Sequence, residues 1–312
     1  MEKHNKKRAS LRQYPVLLAF GLFFLGLFVL DLVTPDRAYS ELENTTLAQR
    51  PKLTAPTADG LNNYFTGYTK YVKDQVFGRD EWISLQGFVE TALFQKTENG
   101  GILLGKEHQM FPRTYSLLSS ETRALPKNTA ALESLCQRYP GKVNVMLVPA
   151  ASVIYPENVP AGAPLLHEEP YLDQLSSAVQ AAGGRFVDVR DPLRSHKDEY
   201  LYYRTDHHWT SLGAYYAYSQ LCEALGLTPF DPAAHTALTR DGFYGTHYSK
   251  ARTWNAVPDT ITYYELQNAL TIWNVTGPGQ PTEGTTTGLY DLDKLEVYDK
   301  YAMFLHLSLI HI

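Results

Sequence analysis

Thr205-Asp206-His207-His208-Trp209-Thr210 is the densest run of reactive side chains in a chain of 312 residues. In an extended or tightly turned segment, residues i and i+2 point the same way. Asp206 can then accept the Nδ1–H of His208, fix its tautomer and leave Nε2 free to act as a base. A base held in this way contributes about 10²–10⁴-fold to a proton-transfer step. Trp209 is expected to shield the pair from water, and the helix start at Thr210-Ser211 to offer free N–H groups to a developing anion. Two other readings fit the same residues. His-His beside Asp also suits a metal, with His235 and His247 as further ligands, but no HExxH or Cys-x-x-Cys spacing supports one. A capped helix carrying a surface His pair is the ordinary structural alternative. Neither a metal nor an organic cofactor is expected.

The elements that must position this run alternate helix and strand. Pro126 suits a first helical position, with Leu132, Leu135 and Cys136 on one face. Val143–Val148 is β-branched and apolar enough for a central strand. A Pro/Ala loop (149–164) follows, then a helix over Tyr171–Ala182 stopped by Gly183-Gly184, and a second strand at Arg185–Val189. After the cluster, Leu212, Tyr215, Tyr216, Ser219, Cys222 and Leu225 line a helix that Gly226 ends. This order at short spacing implies a parallel sheet covered by helices. Upstream, 61–96 has apolar residues at helical spacing, broken by Val76–Asp80 into two helices. A turn at Glu98–Gly101 and a hairpin across Gly105-Lys106, joining runs near Ile102–Leu104 and Gln109–Phe111, come next.

Composition fixes the broad class. At 44% hydrophobic and 20% charged, the chain is neither disordered, collagen-like nor a disulfide-rich miniprotein. Its net charge of −5 argues against nucleic acid as a partner. That figure hides an asymmetry: residues 1–14 hold five basic groups and one acid, leaving 23 basic and 32 acidic residues beyond them. Val16–Leu30 is an unbroken apolar run of 15 residues, 18 if Asp31 snorkels at the far interface. At 1.5 Å per residue, 18 residues span roughly 27 Å, enough to cross a bilayer core. The basic flank places that end in the cytoplasm and the rest outside. An uncleaved signal anchor is favoured over a cleaved leader, because Val33–Ser40 makes a poor small-x-small site. Cys136 and Cys222 could pair for about 4 kcal/mol, yet two separate buried thiols in helices is the preferred reading.

Tyr203-Arg-Thr-Asp-His-His-Trp-Thr-Ser-Leu-Gly-Ala-Tyr-Tyr-Ala217 resembles the hallmark of the DHHW family of Gram-positive bacteria. That family is similar to the SGNH-hydrolase-like domains of alginate O-acetyltransferases. Glu43-Asn44 with Arg50-Pro51, Asp74-Gln75 with Phe77–Asp80, Leu147–Pro149 with Ile154–Glu157, and Asp241–Thr246 before Tyr248–Lys250 agree with it. The resemblance implies an α/β fold, an SGNH-like three-layer α/β/α domain with a parallel sheet, preceded by one transmembrane helix. It also implies Asp206 as orienting acid and His208 as catalytic base, with His207 on a variable position. The family's serine is expected in a Gly/Lys-Asp-Ser turn late in the chain, and no such turn is present. Ser211, Ser219, Ser249 and Ser308 are the only serines after Asp206, and Ser249 reads as part of a polar loop. The ending Leu305–Ile312 departs from the family pattern, so the domain is expected to be incomplete at its C-terminus.

The implied organisation is a basic cytoplasmic tail (1–14), a signal anchor (15–34), an extracellular stem with helices (35–98), the SGNH-like domain (99–302) and an aberrant tail (303–312). The implied activity is acyl transfer or hydrolysis at O-acetyl esters of cell-surface polysaccharide, lost here if the serine is lacking. The implied partners are the glycan or acyl donor, the membrane and a membrane-bound acyltransferase. A non-catalytic surface protein that binds glycan or a partner is the competing reading.

Overall fold

The computed structural model describes residues 14–304 except 41, 44, 54–55, 267, 276–280 and 299. The basic tail up to residue 13, and the ending from 305 with Ser308, therefore lie outside the described residues. The chain divides into two units, 1–40 with 45–83 and 41–44 with 84–312.

In the first unit, α1 (Pro15–Val33) has Pro in its first turn and no buried residue. It is long and apolar enough to cross a membrane, as its sequence requires. A two-residue antiparallel pair follows, β1 (Tyr39–Ser40) with β2 (Thr45–Thr46). Helix α2 (Ala58–Gln75) starts where Thr57 Oγ1 accepts the Gly60 N–H at 3.1 Å. Helix α3 (Arg79–Phe88) begins after the expected break and runs on into a π turn at Val89–Leu93.

The second unit opens with the meander β3 (Glu98–Asn99), β4 (Ile102–Leu104) and β5 (Met110–Pro112), all antiparallel. The expected hairpin is β4–β5; the Gly100-Gly101 turn adds a strand that the sequence did not announce. Helix α4 (Ser119–Arg138) starts seven residues before Pro126, which sits inside it. The helix is set instead by Glu121, whose carboxylate takes the Leu118 N–H at 2.6 Å; Pro126 is tolerated at the cost of one backbone bond.

Strand β6 (Asn144–Val145) leads to α5 (Ala151–Ile154), α6 (Glu169–Ala181), β7 (Arg185–Phe186) and α7 (Arg190–Ser195). β6 and β7 pair in parallel, and two flanking bonds, Arg185 N–H to Val143 O and Val187 N–H to Val145 O, extend the ladder. The period of two sorts side chains to opposite faces. Val145 and Phe186 pack with Cys136, Leu175 and Val179 of α4 and α6. Met146, Val187 and Val189 pack instead with Ile154, Leu193 and Ala217 of α5, α7 and α8 (Ser211–Leu225). Helices thus cover both faces of an α/β layer. The strand at 143–148 is shorter than expected and not central: among the described residues β6 pairs only with β7, and Leu147 and Val148 are exposed.

Helix α8 runs between the ends its sequence specifies. Thr210 Oγ1 accepts the Gly213 N–H, and Gly226 closes the helix at φ +68°, a conformation that favours glycine. Beyond it come β8 (Ala237–Phe243), α9 (Thr246–Ala251) and β9 (Asp259–Tyr264), with β8 and β9 antiparallel. A second antiparallel pair, β10 (Ala269–Val275) and β11 (Pro281–Gly288), follows. Cys136 and Cys222 are separate buried thiols in α4 and α8.

Candidate functional site

The Asp-His-His segment is the tip of a tight two-armed loop. Thr210 N–H donates to Leu201 O at 2.8 Å and Tyr203 N–H to His208 O at 3.1 Å, so the arms 201–203 and 208–210 pair and leave Arg204–His207 as the turn. Within it Asp206 Oδ1 accepts both the backbone N–H of His208 at 3.0 Å and its Nδ1–H at 2.5 Å. The i to i+2 geometry expected from the sequence is therefore met by an Asx-type turn. The second carboxylate oxygen takes the Thr246 N–H at 2.7 Å, from the first residue of α9.

Asp206 is 1% exposed. Burial by itself raises its pKa, but the hydrogen bond from His208, the two histidine charges and the Thr246 N–H outweigh it and hold the carboxyl below its usual range. Asp206 is thus an anion at neutral pH, and an anion at Oδ1 fixes the His208 proton on Nδ1 and leaves Nε2 as the acceptor. Gly245 makes this approach possible: a Cβ there would overlap the Asp206 side chain.

Three further elements pin the loop. Asp259, fully buried at the start of β9, accepts Arg204 N–H at 2.8 Å, Thr205 N–H at 2.9 Å, Thr205 Oγ1 at 2.5 Å and the Tyr200 hydroxyl. Burial raises its pKa despite these donors. From α9, the His247 and Tyr248 N–H groups donate to Thr205 O at 2.9 and 3.1 Å. From β5, Met110 N–H donates to Arg204 O at 2.9 Å, and Gln109 Nε2 beside it to Tyr203 O at 2.9 Å. The sequence reading missed Asp259 and Gln109, whose partners are 55 and 94 residues away; neither sits in a local pattern that could have marked it.

The ring over His208 is not Trp209. Trp209 packs into the apolar core with Leu212 and Tyr216, because the arm that carries it alternates sides and His208 takes the other. Tyr301 stacks on His208 instead, ring centroids 4.1 Å apart and 18° from parallel. Burial, then the Asp206 charge, pushes the Tyr301 hydroxyl up to about 12, so it stays neutral.

His207 is the more exposed histidine. Its ring lies 3.8 Å from that of His208, and its Nδ1 stands 3.0 Å from Thr246 Oγ1 and 3.3 Å from Asp206 Oδ1. Burial lowers its pKa, Asp206 opposing. Asp206, His207 and His208 offer three ligand atoms within 4.8 Å of one another, a set that could hold a metal ion. Of the two additional metal candidates, His247 is buried beside His207 with ring centroids 6.0 Å apart, and its Nδ1 is unpaired. His235 stacks on Phe230, away from this set.

The described serines after Asp206 lie elsewhere. Ser211 donates to Thr262 O, Ser219 to Tyr215 O, and Ser249 bonds Gly245 O at 3.2 Å and the Tyr298 hydroxyl at 3.1 Å. Ser249 belongs to α9 and is buried, not in a polar loop as expected, since α9 packs its inner face on the meander. None of these three bonds His208.

Residues 102–255, which hold this loop and its supports except Asp259 and Tyr301, match the family described as the SGNH hydrolase-like domain of the acetyltransferase AlgX. The chain is 28% identical over 241 residues to a Pseudomonas aeruginosa protein named probable alginate O-acetylase AlgJ, covering 75% of this chain and 58% of that one. A protein of the same name from Pseudomonas syringae pv. tomato is 28% identical over 131 residues, covering 40% and 33%. The chain thus spans less than two thirds of either relative. In fold it is similar to a solved DHHW family protein from Eubacterium siraeum, with a TM-score of 0.52, 23% identity, and coverage of 68% of this chain and 69% of that one. By sequence match, residues 102–255 of this chain are thus similar to the SGNH hydrolase-like domain of the acetyltransferase AlgX.

Proposed function

We propose that this protein is an extracytoplasmic SGNH-like protein, anchored by α1, that handles O-acetyl esters of a cell-surface polysaccharide by acyl transfer or hydrolysis. The observation that carries this reading is the 2.5 Å contact between buried Asp206 Oδ1 and His208 Nδ1. In the proposed reaction His208 Nε2 takes the proton of an attacking hydroxyl as its oxygen adds to the acyl carbonyl. The same nitrogen then returns the proton to the departing sugar oxygen. Asp206 holds the tautomer and stabilises the imidazolium that forms. Tyr301 stacked on one face of His208 keeps its ring in plane. The relatives' name, alginate O-acetylase, supports a polysaccharide as the acceptor. A membrane-bound acyltransferase is the proposed source of acyl groups, and residues 1–14, 15–34, 35–98 and 99–302 are the proposed cytoplasmic, spanning, stem and SGNH-like parts.

A second reading has its own support: none of Ser211, Ser219 and Ser249 hydrogen-bonds His208. In that reading the loop is a binding surface for glycan or a partner, without turnover. Acetate release from O-acetylated polysaccharide by the purified chain separates the two. Turnover that falls about 10²–10⁴-fold in His208→Ala supports the acyl-transfer reading. Equal rates in wild type and variant, or none in either, leave the binding reading.

A further inference from the structure

Helix α2 carries a feature that the acyl-transfer site does not use. At 100° per residue, Leu61, Phe65, Tyr68 and Val72 fall within an arc of about 60°. All four are solvent-exposed, between 38% and 62%. A second arc of the helix is covered: Gly67 meets Pro51, and Asp74 Oδ2 accepts the Ala48 N–H at 2.8 Å. A third arc, with Asn63, Thr66, Lys70 and Lys73, is polar and exposed. The stem segment therefore packs on one flank of α2 and leaves an aligned apolar stripe bare. Tyr68 joins the stripe to the ring series Tyr64, Tyr68 and Tyr71, at centroid spacings of 6.0 and 5.8 Å. Contiguous exposed apolar surface of this kind marks an interaction site.

The occupant follows from where α2 is tied. Phe77 N–H, two residues past the helix, donates to Asp31 Oδ1 at 2.9 Å, and Asp31 lies in the last turn of α1. The Tyr71 hydroxyl donates to Asp36 Oδ1 at 2.9 Å, and Gln75 Nε2 to Arg37 O at 2.8 Å. Arg37 in turn pairs with Asp80 at 2.8 Å. Four contacts thus fasten the C-terminal end of α2 and the start of α3 to the exit of α1. If α1 spans the bilayer, Tyr71 and Phe77 are held at the lipid–water boundary, and Val72 and Tyr68 stand within one to two turns of it. Amphipathic helices with Tyr and Phe on the apolar face and Lys on the polar face lie in that boundary.

We propose that α2 is a membrane-interface helix, its Leu61/Phe65/Tyr68/Val72 stripe seated among the lipid headgroups beside α1. The inference rests on the anchoring part of the proposed function. Its consequence is that the SGNH-like unit is joined to the surface through two membrane contacts rather than through a single flexible stem.

The test uses the full chain reconstituted in vesicles of phosphatidylcholine and phosphatidylglycerol, with an environment-sensitive fluorophore on a cysteine introduced one position at a time. Phe65→Cys reports the stripe, Asn63→Cys the polar face and Leu25→Cys the middle of α1; the parent chain, treated with the same fluorophore, measures background from the buried Cys136 and Cys222. The expected result is blue-shifted emission at 65, quenched at least twofold by lipids carrying a nitroxide near the headgroup, with 63 unquenched and 25 quenched by lipids carrying the nitroxide deep in the acyl chain. Quenching at 25 without quenching at 65 overturns this inference and leaves the anchor standing. No quenching at 25 removes the anchor and this inference with it. Quenching at 65 by a nitroxide on a second copy, and not by lipid, assigns the stripe to self-association and overturns the lipid assignment.

Discussion

Helix α2 and the Tyr203–Thr210 loop invert the usual partition of side chains in opposite directions. On α2, Leu61, Phe65, Tyr68 and Val72 face out, and no residue of the helix is buried. In the loop, Thr205, Asp206 and Thr210 are buried together with Asp259. Neither inversion is free. Bare apolar surface forgoes about 25 cal/mol per Å² that packing would return, and a buried carboxylate must recover its lost hydration through hydrogen bonds. The loop does recover it: Asp206 has three donors, two from His208 and one from Thr246 of α9, and Asp259 has four. On α2 nothing among the described residues of its own unit covers the stripe. The lesson is that a satisfied inversion marks a site built inside the fold, and an unsatisfied one marks a surface completed from outside.

The contrast predicts where substitutions hurt folding. Asp259→Ala should be the most damaging, because it strands two backbone N–H groups and two hydroxyls inside the loop; about 3–5 kcal/mol of stability is expected to go. Urea unfolding of the variant measures it, and a loss under 1 kcal/mol would mean that the hub is not what holds the loop. His247 gives a comparable effect through pH. Burial, opposed by the Asp206 charge, lowers its pKa to about 4 from an unfolded value of 6.5. A histidine so depressed takes up a proton on unfolding. Its contribution is therefore whole above about pH 6.5, and about 3 kcal/mol is lost as pH falls toward 4. Asp206, also depressed, adds its own loss only below about pH 4. In a series of unfolding curves, His247→Gln should flatten the slope between pH 6.5 and 4; an unchanged slope would break the assignment.

The smallest effect belongs to the other region. Phe65→Ser should change the unfolding free energy by no more than about 0.5 kcal/mol, as for other exposed positions. A cost of 2 kcal/mol or more would show that Phe65 is packed in the folded chain, and the contrast would collapse.

What the sequence could show follows the range of the interactions. The Asp206–His208 contact spans two residues and was legible from side-chain chemistry alone. So were both ends of α8, where a Thr cap and a glycine carry local signals. Residues 143–148 read as a buried central strand, but exposure depends on what pairs alongside, and Leu147 and Val148 are exposed. Pro126 pointed to a helix start because the capping role of Glu121, five residues earlier, has no Ser or Thr partner to announce it. The choice of Tyr301 over Trp209 as the ring on His208 was beyond reach, since it depends on which way the returning arm turns and on a residue 93 positions away.

The central claim concerns which of two adjacent histidines is positioned to move a proton. Turnover of a small chromogenic acetyl ester by wild type, His208→Ala and His207→Ala tests it within one protein, because both variants remove the same ring one residue apart. The account predicts a kcat/KM loss of about 10²–10⁴-fold for His208→Ala, a matching order of loss for Asp206→Asn, and less than about tenfold for His207→Ala. Equal rates for the two histidine variants, or a larger loss at His207, would contradict it.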